Sequence, residues 1–337
     1  MNDLSGLELE VINSLSRLHD IRREWSRLEA SLPDLTPFQT PEWLLTWWHH
    51  FGGGELQVYA FRAAGRLVAI VPAFLHHWEG RRQLTLIGSG ISDYLDPLIA
   101  AGEQERVVRC LREHLQSQPA WDICIWQDLS ADTPLAALGH EARMSAQCEL
   151  DQPCSAICID QAFADYWAAR PSGLRRNERR YRSKAEQLAP LVITVNRSND
   201  KECVDALVRL HSARWREQGE PGMIAANRSA NFLRDIAQEF ALREMLLLFS
   251  LRFQGEIAAV VLGFPYRNVI YAYLSAFDPS YGALGFGRLL LFEALQYAFK
   301  GGYSSWNFLR GSEAYKFDWG AREILKSRLV ITRVPEP

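Results

Sequence analysis

The sequence predicts an α/β fold made of two similar halves, each a mixed β-sheet flanked by helices. A chain of 337 residues is long enough for two domains that each bury their own core. Strand-like and helix-like segments alternate, and their order in the first half recurs in the second. We place the boundary at residues 151–160, around Pro153, which predicts an N-terminal domain of residues 1–155 and a C-terminal domain of residues 156–337.

In the first half, apolar periodicity and the residues that end each segment define the elements. Pro41 starts a helix that Gly52-Gly53-Gly54 ends, and the Ala63-Ala64-Gly65 turn separates two strands. The predicted strands are residues 7–12, 56–62, 66–77, 83–87 and 121–126, and the predicted helices are residues 17–30, 41–51 and 103–116.

The second half repeats this order and ends in the most informative segment of the chain. The predicted helices are residues 165–187, 201–218, 229–242 and 288–299, and the predicted strands are residues 191–196, 245–253, 256–266, 268–277 and 303–309. Gly282, Gly285 and Gly287 separate a strand from a helix, and the ionisable run from Arg310 to Lys316 follows the next strand.

Composition excludes several classes of protein. The net charge of −3 argues against a general nucleic-acid binder. The six cysteines form no C-x-x-C pair, and Cys154 and Cys158 have no nearby histidine partner, so we expect no metal cofactor. No apolar run is long enough to span a bilayer, and the N-terminal segment carries charges throughout. We therefore expect a cytoplasmic protein with no integral membrane segment.

The three glycines suit a phosphate ligand. A glycine turn that leads into a helix presents unpaired backbone N–H groups and the positive end of the helix dipole, as a pyrophosphate requires. Glycine is equally what a tight strand-to-helix turn with positive φ needs. The next strand ends in Arg310 instead of an acidic residue, which does not fit a dinucleotide fingerprint. From these residues alone, a ligand site and a plain turn both stay open.

The run from Arg310 to Lys316 is either a site of acid–base chemistry or a structural cluster of charged side chains. Acyl transfer needs a base for the proton of the nucleophile and an acid for the leaving group. Glu313 is suited to be the base if it is buried, and Tyr315 to be the acid, while Arg310 and Lys316 can hold an anion. If a helix starts near Gly311, Ser312 would cap it. The alternative is a surface pair between Arg310 and Glu313 with Tyr315 in the core.

Two further regions have a functional and a structural interpretation. Asp93 and Asp96 follow the Gly88-Ser89-Gly90 loop and are candidates to contact an acceptor hydroxyl or amine; they are equally typical of an N-cap and of a turn before proline. The run from Arg175 to Lys184 has six cations and one carboxylate, which fits either a solvated helix or a site for a polyanion.

Residues 281–320 resemble a known family. Tyr281-Gly-Ala-Leu-Gly-Phe-Gly, the sequence R-G-S-E-A-Y-K at 310–316 and Trp319 are similar to the acetyltransferases associated with bacterial cellulose biosynthesis (the CelD/BcsL type), within the GNAT superfamily. Pro41-Glu-Trp43 and the Gly90 to Asp96 segment match more weakly, and the likeness extends over about residues 37–320.

The resemblance implies tandem GNAT-like domains, the first of them degenerate, and an acyltransferase that uses acetyl-CoA or another acyl-CoA. It implies cofactor contacts at Gly285, Phe286, Gly287 and Arg288, acceptor contacts at Arg310, Lys316 and Tyr273, and catalytic roles for Glu313, Tyr315, Asp93 and Asp96. The acceptor is expected to be a sugar or amine, small or part of a glycan, in polysaccharide or cell-envelope biosynthesis, in association with that machinery. Gly282 departs from the family, whose pyrophosphate loop usually has Gln or Arg at this position.

Two alternatives stay open. The tandem layout also resembles the FemAB-like transferases, which take an amino acid from tRNA for peptidoglycan. A GNAT-like module that binds a ligand without catalysis is the other. For the enzyme we expect direct transfer in a ternary complex, because no serine elbow or Cys–His pair indicates a covalent intermediate.

Overall fold

Each half of the chain forms a compact unit of its own in the computed structural model, which describes residues 6–118, 120–139, 144–217 and 227–333, apart from the side chains of residues 214–217. The first unit comprises Met1–Gln152 with Leu325–Pro337, and the second comprises Pro153–Ile324. Strands β9 (Met144–Cys158) and β15 (Arg322–Arg333) each pass from one unit into the other.

In the first unit, most elements begin or end where proline or glycine interrupts an apolar pattern. They are β1 (Leu7–Ile12), α1 (Leu15–Asp20), α2 (Arg22–Ser31), α3 (Pro41–Phe51), β2 (Glu55–Leu56), β3 (Val58–Ala63), β4 (Arg66–Val71), β5 (Ala73–Trp78), β6 (Arg81–Leu86), β7 (Leu98–Ile99), α4 (Gln104–Ser117) and β8 (Ile123–Ser130). Strands β1-β3-β4-β7 form an antiparallel sheet. Strands β15-β8-β6-β5-β2 follow one another in a mixed sheet, in which β6 and β8 are parallel.

The second unit has a mixed sheet with the strand order β10-β11-β12-β13-β14-β9. Its elements are α5 (Phe163–Ala168), α6 (Ser172–Glu186), β10 (Val192–Asn196), α7 (Lys201–Glu217), α8 (Asn227–Leu242), β11 (Leu247–Phe253), β12 (Glu256–Tyr266), β13 (Val269–Phe277), α9 (Phe286–Lys300), β14 (Ser305–Arg310) and α10 (Ala314–Asp318). Neighbouring strands are antiparallel except β13 and β14, which are parallel.

The core of the second unit explains the long apolar run of β12. Every residue of β12 after Glu256 is buried. Val261 belongs to a core cluster with the apolar residues of α9, while the Phe264 ring packs at right angles on Phe240 of α8. Helices therefore cover both faces of this strand, and an uninterrupted apolar sequence is the expected consequence. The predicted fold class, α/β with mixed sheets and helices, is confirmed.

Several predicted elements were wrong in their extent, for reasons of backbone chemistry. The predicted strand 66–77 divides into β4 and β5 at Pro72, and the predicted helix 165–187 divides into α5 and α6 at Pro171, because proline has no N–H for a ladder or helix bond. The predicted helix 17–30 divides at Ile21. Residue 218, at the end of another predicted helix, lies outside the described residues.

Strands β9 and β15 were not predicted. Most of the interval 151–160, predicted as a boundary because of Pro153, belongs to β9. Among the described residues, no helix is both long and apolar enough to cross a membrane.

Candidate functional site

Strands β13 and β14 separate at their carboxyl ends. They pair in parallel at only three positions, from Val269 with Ser305 to Tyr271 with Asn307. Beyond these positions β13 continues to its end, while β14 has a bulge between Asn307 and Leu309, and Leu309 has a φ of 63°. Parallel strands that part at their carboxyl ends leave a crevice in which α/β proteins bind ligands. The elements that follow the two strands carry most of the predicted site.

The segment after β13 presents a helix N-terminus at this crevice. Asp278 accepts hydrogen bonds from the backbone N–H and the hydroxyl of Ser280, which starts a short 3₁₀ helix. Gly285 then takes a left-handed conformation (φ 63°) and is the N-cap of α9. No side chain caps this helix among the described residues, so the first N–H groups of α9 have no side-chain acceptor.

Packing explains two of the three glycines. A Cβ atom at Gly285 would lie 2.6 Å from the Tyr181 ring of α6, and one at Gly287 would lie 2.9 Å from the Phe277 ring. A Cβ at Gly282 would meet none of the described residues within 4 Å. A positive-φ turn accounts for Gly285, and close packing accounts for both Gly285 and Gly287. The sequence contained no signal for the contact with Tyr181.

The other two predicted cofactor residues occupy different environments. The Phe286 side chain is buried in the core, with its ring centroid 5.0 Å from that of Phe253, so only its backbone can meet a ligand. Arg288 is exposed in the first turn of α9. A cation at the positive end of a helix dipole is unfavourable by itself, and a bound anion relieves that repulsion.

Lys316 is directed into the turn that follows β14. Its Nζ atom lies 2.7 Å from the carbonyl oxygen of Arg310, 3.1 Å from that of Gly311 and 2.9 Å from a carboxylate oxygen of Glu313. The side chain is only 3% exposed. An ammonium group has three donors, and these acceptors are sufficient to engage them. The Lys316 ammonium therefore binds the chain itself, and its contact with an acceptor stays a prediction.

The neighbouring side chains differ from both sequence interpretations. Glu313 forms its ion pair with Lys316, and its side chain is 57% exposed, so the burial that a base role required is absent. Glu313 is itself the N-cap of α10, while the Ser312 hydroxyl donates to Glu323 instead of capping. Tyr315 is exposed, with its ring edge-on to Phe308, and is not in the core.

Two tyrosines of β13, Tyr271 and Tyr273, and Trp319 after α10 are large aromatic side chains of the elements next to the crevice. Tyr273 is largely buried, and its ring lies 5.2 Å from that of Phe264, so most of its surface contacts the core. Burial also raises the pKa of Tyr271 well above its ordinary value, which keeps this phenol protonated. Trp319, buried after α10, accepts a hydrogen bond from the Tyr166 hydroxyl at its carbonyl oxygen. This bond fixes the end of the 310–319 segment to α5.

Asp93 and Asp96 lie in the first unit, in a well-anchored loop. The Asp96 carboxylate accepts the backbone N–H of Ser130 at 2.9 Å, a contact with a distant segment that its position before proline did not indicate. Asp93 is buried. Ser92 fixes the loop to α3 by accepting the indole N–H of Trp43 at 2.8 Å. The Lys326 ammonium lies 3.9 Å from the centre of the Tyr94 ring, a cation–π contact that the sequence did not indicate.

The predicted basic run forms most of α6, and its cations divide into two groups. Arg182 lies between Glu178 and Glu293, with N–O distances of 2.7 Å to each, and Arg175 donates to the carbonyl of Arg170. The other four cations are exposed and form no ion pair with described residues; they are Arg176, Arg179, Arg180 and Lys184. Because Tyr181 contacts Gly285, this exposed group is on the helix that packs beside the N-terminus of α9.

Comparison with known proteins agrees with this architecture. Residues 172–317 match the model of a family described as acetyltransferase (GNAT) domain. No curated protein sequence matches the chain significantly. The crystal structure of FemX is similar over 95% of this chain and 96% of its own, with a TM-score of 0.65 and 12% identity.

Two further crystal structures are similar over nearly their whole length. The C-terminal domain (DUF2156) of a putative lysylphosphatidylglycerol synthetase from Agrobacterium fabrum has a TM-score of 0.58 and 11% identity, with 93% of this chain and 92% of that chain covered. A conserved protein of unknown function from Bacteroides thetaiotaomicron VPI-5482 has a TM-score of 0.56 and 15% identity, with 97% and 99% covered. At such identities these likenesses show the fold alone.

The family match covers α6 to α10, and with them the crevice, the glycine turn and the turn that Lys316 holds. The likeness to GNAT proteins is thereby confirmed for this region, while the narrower cellulose-associated type stays a prediction. The chain has a GNAT-like fold, and its residues 172–317 match the acetyltransferase (GNAT) domain, which supports an acyltransferase.

Proposed function

We propose that the protein transfers an acyl group, acetyl in the first instance, from coenzyme A to a sugar or amine acceptor of polysaccharide or cell-envelope biosynthesis in the cytoplasm. The observation that carries the proposal is the uncapped N-terminus of α9 beside the parting strands β13 and β14, within the GNAT match. The six cysteines are free thiols, which agrees with a reducing compartment.

In this proposal the donor site lies in the second unit, and the first unit is a degenerate GNAT-like domain. The pyrophosphate would accept from the backbone N–H groups of Gly285, Phe286 and Gly287 and would pair with the exposed Arg288. The thioester would then follow the crevice between β13 and β14 towards Tyr315 and Arg310. In this arrangement Tyr273 contributes a buried wall instead of a polar contact.

The chemistry is a direct displacement. The acceptor oxygen or nitrogen attacks the thioester carbonyl, the carbon–sulfur bond breaks, and the thiolate takes up a proton. Tyr315, exposed at the crevice end, is the acid in this proposal, and Glu313 is the base when substrate excludes water from it. Asp93 and Asp96 remain candidates to contact the acceptor. The role of Lys316 is to hold the turn that places Glu313 and Arg310.

A titration of acetyl-CoA by calorimetry tests the donor site, and α9 offers a matched pair of variants. Arg288→Ala removes an exposed cation from the first turn, and Lys300→Ala removes one from the last turn. We expect the first to weaken binding about tenfold and the second to leave it unchanged. Absence of binding by acetyl-CoA and longer acyl-CoAs would reject the proposal and favour a module without catalysis.

One observation favours a second candidate, aminoacyl-tRNA-dependent transfer to a peptidoglycan precursor. The four exposed cations of α6 extend over residues 176–184, about 12 Å of helix, on the helix beside α9. Such a row suits a phosphate backbone. If tRNA is the donor, Arg176→Glu with Lys184→Glu should abolish tRNA retention in a mobility-shift assay, and binding should fall steeply with salt. Binding of acetyl-CoA alone, with no retention of tRNA, would exclude it.

A further inference from the structure

The first unit contains an open cleft of about 1160 Å³ on one face of its mixed sheet. Strands β5, β6 and β8 form its floor, and Trp47 and Phe51 of α3 lie at one side. None of the predicted donor, acceptor or catalytic residues lines it. The volume exceeds what a single small metabolite fills and suits an extended ligand.

Three rings lie in sequence along the floor. Phe74, His76 and Trp78 occupy alternate positions of β5 and therefore point to the same face. Their ring centroids are 5.2 Å apart for Phe74 and His76, and 6.4 Å apart for His76 and Trp78. Trp78 is 60% exposed, which is unusual for an indole in a folded domain. The strand therefore presents an aromatic row that ends in solvent.

Polar side chains stand opposite each ring. Thr85, Gln83 and Arg81 of β6 are the register partners of Phe74, His76 and Trp78, in that order. The register is fixed by the two-residue turn at Glu79 and Gly80, both with positive φ, as a type I′ hairpin requires. Gln127 of β8 also lines the cleft. A hydroxyl, an amide and a guanidinium group on β6 thus lie beside the three rings of β5, one opposite each ring.

The charge of the lining limits the chemistry of the ligand. Arg81 and Glu79 have opposite signs, and Arg328 already pairs with Glu149 at 2.5 Å. Burial, together with the neighbouring His77, lowers the pKa of His76 below its ordinary value, so this imidazole is neutral near pH 7. The cleft therefore offers no excess of cations for a polyanion. Its polar groups would also be costly to cover with a lipid chain.

The pairing leaves little room for a peptide that adds a strand. Strand β6 occupies one side of β5, and β2 pairs with Phe74 and Leu75 on the other side, so at most His76–Trp78 could receive an added strand. The class of ligand that fits both the rings and the polar groups of the cleft has flat, weakly apolar faces and many hydroxyl groups. The C–H groups on one face of a pyranose ring carry small positive partial charges, which the negative face of an aromatic ring attracts.

From these contacts we infer that the cleft over Phe74, His76 and Trp78 binds an uncharged oligosaccharide chain, with Trp78 stacked on one of its rings and Gln83 and Arg81 bonded to hydroxyls. With the proposed function, the bound chain narrows the acceptor class from a sugar or amine to a saccharide, and this step rests on the proposed function. Binding itself does not, because the donor residues lie in the second unit.

Calorimetric titration with cellotetraose, chitotetraose and maltotetraose tests the inference. We expect at least one to bind wild type, Trp78→Ala to weaken it at least tenfold, and Trp78→Tyr, which keeps a ring, to retain most of the affinity. Leu150→Ala is the matched control, since Leu150 is a 76% exposed apolar side chain of the same unit that does not line the cleft. Absence of binding by all three saccharides, or unchanged binding in Trp78→Ala, overturns the inference.

The same variants separate this inference from the proposed function. Acetyl-CoA binding should be unaffected by Trp78→Ala, and saccharide binding should be unaffected by Arg288→Ala. If the wild-type protein binds a saccharide but does not bind acetyl-CoA, this result would count against the proposed function alone. The opposite pattern would count against the saccharide site alone.

Discussion

The Lys316 ammonium lies 2.7 Å from the carbonyl oxygen of Arg310 in a position that is almost fully buried. The carbonyl of Gly311 is a further acceptor, 3.1 Å away. Leu309 and Gly311, on either side of Arg310, both have positive φ, so the backbone turns sharply here and brings carbonyl dipoles together. A single cation at their focus removes this repulsion and fixes the turn.

Lys316→Met should therefore destabilise the protein by about 3 kcal/mol, because it leaves buried carbonyl groups without a donor while keeping most of the side-chain volume. Urea unfolding measures the difference. Lys300→Met is the control: its ammonium is exposed and donates to Gln296, also on the surface of α9, so we expect a change within about 0.5 kcal/mol. Equal stability of the two variants would show that Lys316 does not hold the turn.

Gly285 and Tyr181 should be energetically coupled. Gly285→Ala places a methyl group 2.6 Å from Cδ2 of the Tyr181 ring and forces alanine into a left-handed conformation, which together should cost about 2–3 kcal/mol. Tyr181→Ala removes the obstructing ring, so the double variant should be more stable than the sum of the two single changes predicts.

A double-mutant cycle from urea unfolding measures this coupling, and Gly282→Ala is its control. Gly282 has no positive φ, and a Cβ atom there would meet none of the described residues within 4 Å, so its substitution should be nearly neutral. Strict additivity of Gly285→Ala and Tyr181→Ala would contradict the packing explanation. The same contact makes Gly285 a poor probe of ligand binding, since any loss of affinity would include loss of structure.

Much of the fold could be predicted because proline and glycine mark the ends of its elements. Strand Leu7–Ile12, helix Pro41–Phe51 and strand Glu256–Tyr266 were predicted to the residue. Strand β9 could not be recognised, because Pro153 and the charged residues before it are typical of a linker, and only pairing with distant strands makes the segment extended.

The candidate site was predicted less well, because spacing does not tell which way a side chain turns. The sequence indicated a cluster around Glu313 and Lys316, but it could not show that Lys316 turns inward while Tyr315 remains exposed. The aromatic row on β5 was missed for a related reason. Phe74, His76 and Trp78 alternate as any half-buried strand does, and the exposure of Trp78 follows from the uncovered sheet face.

Asp122 provides a prediction on pH. Hydrogen bonds from the Arg82 side chain, and then from its backbone N–H, lower the pKa of Asp122 to about 2. A carboxyl whose pKa is lower in the folded than in the unfolded state stabilises the fold above its unfolded pKa, and this contribution is lost as the pH falls towards the folded value. Asp122→Asn should thus reduce the free energy of unfolding near neutral pH and have a smaller effect in acid.

Urea unfolding at about pH 6 and about pH 3 measures this difference. The effect should be small, because both side chains of the pair are more than one-third exposed and solvent screens them. Glu113→Gln, at an exposed position of α4, should show no such dependence on pH. A penalty for Asp122→Asn that stays constant between the two conditions would mean that the ion pair is not its source.

Gly282 allows the donor site to be strengthened instead of destroyed. This position, where GNAT pyrophosphate loops usually have Gln or Arg, is exposed, has no positive φ and lies in the turn that leads into α9. If the pyrophosphate binds at that N-terminus, the guanidinium of Gly282→Arg can add a charge-assisted hydrogen bond, and the Kd for acetyl-CoA should fall about tenfold. Gly282→Ala should leave the Kd unchanged, because it adds volume without a donor. Unchanged affinity in Gly282→Arg, alongside a loss in Arg288→Ala, would place the pyrophosphate beyond reach of residue 282 and nearer to the exposed cations of α6.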